Sequence, residues 1–323
     1  MADTQDGPRV HKLAAGFSAT TFPPPPRGMR LTDASPAELA RHGIPPLPDR
    51  DKHPALHAFW LKDFDRELQF IVPEFKVIPN IRHQPRQPSV IAGSQNWSGA
   101  VVTAPSGGLL GGAVGGQWNV PVLKNVDGNT DYCMIWVGID GDPTISPHLA
   151  NNLVQAGTLL TVDATGQLTW LAWWEWLAPG LGIQPADVGI MNMPVQIGAD
   201  FATSIWITSP TTANVYMFTT ATVAGQTQSV ATITAIAAPP SVALIGGCAE
   251  WIVERPADLS GNLLTLANYG SVEFSAATAA TTGLQGSVIA GQGSPIVMTD
   301  QATGKTLSTG KIVSGETVVC TYG

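Results

Sequence analysis

Short runs in which apolar and polar residues alternate, separated by clusters of Gly, Asn, Asp and Pro, dominate the chain after residue 96. Such runs are typical of β-strands, because successive side chains of a strand point to opposite faces of the sheet. Clear examples are residues 99–103, 131–139, 168–176, 204–208, 213–219, 249–254 and 310–313. No long helical pattern lies between these runs. We therefore predict an all-β sandwich or barrel for this part of the chain.

The first 96 residues follow a different pattern, which predicts two short helices. Ser35 suits a helix N-cap, Pro36 the first helical position and Glu38 the third residue of a capping box, and Gly43 suits the end of the helix. A second helix is expected over residues 54–70, where one apolar stripe recurs at helical spacing, formed by Leu56, Phe59, Trp60, Phe64 and Leu68. This helix either packs on the main domain or covers a functional cleft.

Charge and proline content divide the chain near the same point. Residues 1–96 have a formal charge of +2 and hold 14 of the 26 prolines, whereas residues 97–323 have a charge of −10 and nine of the ten tryptophans. The boundary lies close to residues 82–89, whose two prolines and two arginines predict an exposed, extended connector. We expect a Pro-rich segment with short helices over residues 1–90 and a β domain over residues 91–323.

The composition excludes several classes of protein. Only 12% of the 323 residues are charged, about half the usual ~25%, which excludes a coiled coil and a charge-driven disordered chain. The net charge of −8 makes nucleic acid a poor partner, and no apolar run is long enough for a membrane-spanning helix. Three cysteines, Cys133, Cys248 and Cys320, allow one disulfide at most and have no metal-binding spacing.

Familiar catalytic motifs are missing from the β part. His148 is its one histidine, in a loop-like stretch, and neither a nucleophile elbow nor a zinc or phosphate-binding motif occurs. Carboxylates, amides and hydroxyls are left to carry any chemistry.

Carboxylates within apolar strands are the unusual feature. By strand alternation, Glu175 shares a face with Leu171, Trp173 and Leu177, where an ionised carboxylate is costly unless it is paired. Glu250 and Glu254 share one face of their strand with Ile252, and Asp140 shares a face with Trp136 and Gly138. Together these strands predict an aromatic-walled groove that holds several acids.

Three functions are compatible with such a groove. A glycoside hydrolase needs two carboxyl groups about the scissile bond, and Glu175 with Glu254 would supply them. An acid-acting peptidase needs a carboxylate to activate water and a donor for the oxyanion. A non-catalytic module that binds carbohydrate or peptide is the third. Composition does not decide among the three.

Six short motifs, in the same order, resemble those of the glutamic peptidases, or eqolisins. They are Asn96-Trp-Ser-Gly-Ala-Val101, Trp118-Asn-Val-Pro121, Trp136-Val-Gly-Ile-Asp-Gly-Asp142, Leu153-Val-Gln-Ala-Gly157, Ala172-Trp-Trp-Glu-Trp176 and Ala249-Glu-Trp-Ile-Val-Glu254. The resemblance covers only the β part and fades after about residue 260. It implies a sandwich of two antiparallel sheets, similar to lectin domains, with the active groove across one concave sheet.

The resemblance also implies the catalytic residues. The family's glutamine matches Gln155, with Gln117 as a weaker rival, and its glutamate matches Glu254 rather than Glu250. Trp97, Trp136, Asp140 and Glu175 match positions that line or support the substrate groove. A neutral amide both donates and accepts hydrogen bonds, so Gln155 suits an oxyanion and a water at once.

Further expectations follow from these residues together. With Glu250 and Glu175 near Glu254, we expect activity at acidic pH, on polypeptide substrates, with no cofactor and no metal. Leu177 and residues 170–171 replace polar groups that are common in the family, which shifts the expected specificity toward apolar side chains. We expect an extracellular monomer, although residues 1–6 lack a signal-peptide pattern.

The last expectation concerns the role of the basic N-terminal segment. Because its charge is opposite to that of the acidic groove, we predict that residues 1–90 form an inhibitory propeptide whose helix lies over the groove. The alternative is a permanent accessory subdomain.

Overall fold

The computed structural model describes residues 7–13, 17–91, 93–179, 187–223, 225–282 and 288–323. Antiparallel strands dominate these ranges, which confirms the predicted all-β fold. The strands are β1 Arg9–Lys12, β2 Ser18–Thr21, β3 Gln69–Phe70, β4 Phe75–Ile78, β5 Trp97–Thr103, β6 Ala113–Asn119, β7 Asp131–Asp140, β8 Leu153–Val162, β9 Leu168–Leu177, β10 Asp187–Ile190, β11 Asp200–Ser209, β12 Thr212–Val223, β13 Gln226–Ala237, β14 Cys248–Glu254, β15 Ser271–Ala280, β16 Val288–Ile289, β17 Ser294–Thr299, β18 Thr306–Ser314 and β19 Thr317–Tyr322. The α-helices are α1 Pro36–Arg41 and α2 Pro54–Phe64.

Two large sheets form the sandwich. The first, called the front sheet, has the order β4-β10-β9-β8-β7-β14-β5-β17, and every neighbouring pair is antiparallel. The second, called the back sheet, has the order β16-β15-β6-β11-β12-β13-β2-β1, and β3 adds a short parallel pairing to β13. Strands β15, β19, β18 and β17 join the two sheets through a smaller sheet.

The main core lies between the two sheets. Alternate residues of the front-sheet strands enter it, including Trp174 and Trp176 from β9 and Trp251 and Val253 from β14. The intervening residues therefore point to the outer face of the front sheet, where Trp97, Trp136 and Trp173 form a second apolar cluster. This is the alternation that the sequence predicts, and it leaves Glu175, Glu250 and Glu254 on the outer face.

The first helix agrees closely with its prediction. Ser35 caps α1, and its side chain and that of Glu38 form a reciprocal capping box. The second helix ends earlier than predicted, at Phe64, because the chain turns there and pairs with β13 as strand β3.

Helix α2 packs against the outer face of the back sheet. Phe59 and Phe64 contact Trp206 there, and the buried carboxylate of Asp63 accepts hydrogen bonds from Ser204 Oγ at 2.6 Å and Trp206 Nε1 at 2.9 Å. The interpretation of α2 as a helix packed on the main domain is confirmed. The prediction that it lies over the acidic groove is wrong, because its apolar stripe covers the opposite side of the sandwich.

The segment before residue 91 is also part of both sheets. Strands β1 and β2 extend the back sheet beyond β13, and β4 forms the edge of the front sheet beside β10. Because β4 and β5 lie on opposite sides of the front sheet, residues 79–96, called the connector, cross its outer face. No α-helix in the described ranges is long and apolar enough to span a membrane.

Phe59→Ala should destabilise the chain by about 3–5 kcal/mol, since the ring fills the space above Gly115 and packs edge-on against Trp206. Denaturant unfolding measures the change, with Val10→Ala as control because Val10 is 65% exposed. An unchanged unfolding midpoint for Phe59→Ala would contradict the docking of α2.

Candidate active site

Gln155 and Glu175 face each other across two neighbouring strands of the front sheet. They are register partners on β8 and β9, and Gln155 Nε2 donates a hydrogen bond of 2.8 Å to Glu175 Oε2. Both side chains are buried, and Gln155 Oε1 has no hydrogen-bond partner among the described residues. The amide is therefore held by one end while its oxygen stays free to accept a hydrogen bond.

Glu254 ends strand β14 on the same face. Its Oε2 accepts hydrogen bonds from Trp136 Nε1 at 2.8 Å and His83 Nδ1 at 2.7 Å, while Oε1 has no partner in the described part of the chain. Trp97 packs edge-on against Trp136, with ring centroids 4.9 Å apart. A Cβ at Gly138 would lie 2.7 Å from the Trp136 ring, so the absence of a side chain there lets the indole reach Glu254.

His83, from the connector, is inserted among these acids. Its side chain is fully buried, with Nε2 3.3 Å from Asp187 Oδ1 and the ring stacked on Trp173 at 4.2 Å between centroids. Burial alone would lower the pKa of His83, but the carboxylates of Glu254 and Asp187 raise it well above its ordinary value. His83 is therefore an imidazolium that bridges two carboxylates.

Glu175, in contrast to His83, is uncharged. Burial and the nearby charge of Asp187 raise the pKa of Glu175 to about 8, so it is protonated at neutral and acidic pH. His83, Glu175 and Asp187 bring their ligand atoms within 4.8 Å of one another, the geometry of a possible metal site. An imidazolium, however, has no lone pair to offer a metal ion, so the donor set fits an ion-pair cluster better.

The remaining predicted residues lie elsewhere. Asp140 accepts hydrogen bonds from the backbone N–H groups of Ile245, Gly246 and Gly247, and so holds that loop. Glu250 accepts a hydrogen bond from Cys248 Sγ, and its acidic neighbours are Asp140 and Asp142, not Glu254. Burial raises the pKa of Glu250 well above its ordinary value.

Three further sequence predictions are settled by position. Gln117 lies on β6 of the back sheet, so it is not part of this site. His148 is exposed in a short 3-10 turn, as its loop-like sequence predicts. The cysteines Cys133, Cys248 and Cys320 are buried and free.

Residues 82–87 of the connector are held to the domain, contrary to the prediction that this stretch is exposed. Arg82 forms an antiparallel bridge with Ala257, with N–O distances of 2.9 and 2.8 Å. Arg86 forms an ion pair of 2.8 Å with Asp142, and Asn96 donates to the carbonyls of residues 84 and 85 at 3.2 Å. These contacts place His83 over Glu254.

Two residues of the cluster, His83 and Asp187, were not predicted from the sequence. His83 lies in the basic segment before residue 97, far along the chain from the strands that carry the acids. Asp187 begins a short apolar strand, and an acid at a strand start usually indicates a solvated end rather than a buried charge.

The model of the peptidase A4 family matches residues 95–322. The chain therefore belongs to the peptidase A4 family and is a glutamic endopeptidase.

The fold is similar to that of scytalido-glutamic peptidase. A crystal structure of scytalido-glutamic peptidase with a transition state analog inhibitor is 22% identical and has a TM-score of 0.53, and the match covers 72% of this chain and 100% of that chain. SCP-B, an eqolisin in complex with the tripeptide Ala-Ile-His, is 22% identical over the same shares with a TM-score of 0.49. No curated protein sequence matches the chain significantly.

We expect His83 to keep its ring proton well above the pH at which a free histidine loses it. The stabilisation from its ion pairs is fully present below the ordinary pKa of about 6.5 and is lost as the pH rises through the raised value. Long-range 1H–15N NMR measures the titration, with the urea-unfolded chain as reference. Asp187→Asn should lower the pKa of His83, and Glu250→Gln should not. A ring that titrates as in the unfolded chain would refute the ion pairs.

Proposed function

We propose that the chain is an acid-acting endopeptidase in which Gln155 and Glu254 activate water and stabilise the tetrahedral intermediate. The observation that carries this proposal is that both side chains lie on the outer face of the front sheet with one unpartnered oxygen each, Gln155 Oε1 and Glu254 Oε1. Two buried acceptors without partners suit a water molecule that both would orient.

Glu254 acts as the general base. Trp136 holds Oε2 through its indole N–H, which leaves Oε1 to take the proton as water attacks the peptide carbonyl. The carboxylic acid formed in this way then protonates the leaving amine, so the proton returns to the product and Glu254 is regenerated.

Gln155 acts as the electrophilic partner. One N–H of its amide donates to Glu175, which fixes the side chain, and the other is free for the oxyanion. Because the pKa of Glu175 is raised to about 8, Glu175 adds no negative charge beside the developing oxyanion at acidic pH.

Glu254→Gln should reduce peptidase activity by about 10²–10⁴-fold, since no base remains to accept the water proton. Gln155→Ala should lower kcat by about 10²–10³-fold, the usual effect of losing one oxyanion donor. Peptide release from denatured casein between about pH 3 and 7 measures both.

The matched controls are Glu250→Gln, on the same strand and face as Glu254, and Gln117→Ala, on the back sheet. Both should retain activity. Release of reducing sugar from β-glucan without release of peptides would instead favour a glycoside hydrolase, and no product from either would favour a binding module. A folded Glu254→Gln with wild-type activity would refute the dyad.

We further propose that residues 1–90 belong to an inactive precursor, with the connector as the inhibitory element. His83 Nδ1 binds Glu254 Oε2 at 2.7 Å, and its ring fills the space beside that carboxylate. Helix α2 packs on the back sheet, so it attaches the N-terminal segment to the domain and does not cover the active site. The positive charge of His83 attracts its ring to the two acids.

Two ion pairs hold His83 in this contact. At neutral pH the imidazolium meets both Glu254 and Asp187, while Glu175 is neutral. Inhibition of the uncleaved chain near neutral pH should therefore depend on His83.

His83→Ala should raise the initial peptidase activity of the uncleaved chain at least tenfold near neutral pH, because Glu254 is freed. Acid incubation of the wild type, followed by electrophoresis and N-terminal sequencing, should show cleavage between residues 73 and 95 together with a rise in activity. In Glu254→Gln this cleavage should be absent. A full-length wild-type chain that is fully active without cleavage would instead indicate a permanent accessory subdomain.

A further inference from the structure

Asp187 is a buried carboxylate whose one close partner among the described residues is His83. Its side chain is 0% exposed, and neither carboxylate oxygen has a hydrogen-bond partner in the described ranges. An unpaired buried carboxylate is costly, and a cation nearby offsets that cost. In this structure the imidazolium of His83 is that cation.

The surroundings of His83 form a position that suits a flat, positively charged group. Trp173 forms one wall, with its ring tilted only 24° from the imidazole. Glu254 and Asp187 approach the two ring nitrogens from opposite sides, at 2.7 and 3.3 Å. A stacking surface with one carboxylate close to each ring nitrogen favours planar cations, because a neutral ring leaves both charges unpaired.

We propose that Asp187 and Trp173 form a substrate subsite for a planar cationic side chain, histidine or arginine, next to Glu254. This inference rests on the proposed function, and treats His83 as an internal occupant of the position that such a side chain takes in a substrate. Leu177 and residues 170–171 led us to expect a preference for apolar side chains. The subsite instead predicts that the substrate side chain closest to the general base is positively charged.

The charge balance of the subsite supports the same assignment. Protonated Glu175 contributes no charge, so Asp187 and Glu254 are the acids that face the ring. Removal of His83 without replacement would leave these two carboxylates together in a buried site. A substrate cation restores the balance, whereas a neutral side chain does not.

His83→Gly provides a direct binding test that needs no catalysis. Titration calorimetry of this full-length variant with imidazole, at about pH 6 where free imidazole is mostly protonated, should show one binding site. Pyrazole, a ring of the same size that stays neutral, should bind at least tenfold more weakly. Adding Asp187→Asn should weaken imidazole binding at least tenfold, whereas adding Glu250→Gln should leave it unchanged. Equal binding of imidazole and pyrazole, or no effect of Asp187→Asn, would overturn the subsite.

Matched peptides supply a second test that does not depend on the folding of His83→Gly. Acid-activated wild-type chain should cleave peptides that carry His or Arg at one position at least tenfold faster, in kcat/KM, than the same peptides with Gln. In Asp187→Asn this ratio should fall toward one, and an unchanged ratio would overturn the subsite. If imidazole binds but no peptide is cleaved, the proposed catalytic function fails, whereas the cation-binding position formed by Asp187 and Trp173 stands.

Discussion

Carboxylates buried on an apolar sheet face are the constraint that the rest of the site depends on. Each must be neutralised, hydrogen-bonded or paired with a cation, because a bare charge is strongly disfavoured there. The front sheet uses all three means: Glu175 is protonated, Asp140 accepts three backbone N–H groups, and Glu254 and Asp187 share one imidazolium. The path of the connector across the sheet depends on this shared imidazolium, because the connector carries His83.

The N-terminal segment has two physically different parts. Strands β1, β2 and β4 pair within the two sheets and α2 is held by Asp63, so this part belongs to the folded core of the molecule. The connector instead crosses the outer face of the front sheet, where it is held by the two ion pairs of His83 and by polar contacts of residues 82, 86 and 94–96. Release of one part therefore does not require release of the other.

Strand alternation was sufficient to predict which side of the front sheet holds Glu175 and Glu254, since the side-chain period of a strand is two. The capping box of α1 was equally readable, because it depends on residues three apart. The contact between His83 and Glu254 joins positions 171 residues apart, and it depends on the order of strands in the sheet. Alternation carries no information on strand order, so neither this contact nor the pocket around Asp187 was predictable from local patterns.

The crossing of the front sheet by the connector has a consequence in terms of effective concentration. While both ends are anchored, at β4 and β5, the imidazole of His83 is presented to Glu254 at an effective concentration on the order of millimolar or higher, so weak intrinsic affinity is enough to keep the site filled. A single cut in the connector turns this occupant into a tethered end with more conformational freedom. External ligands then compete with His83 for the position beside Glu254, and their own concentration decides the outcome. Most of the N-terminal segment stays bound to the molecule throughout.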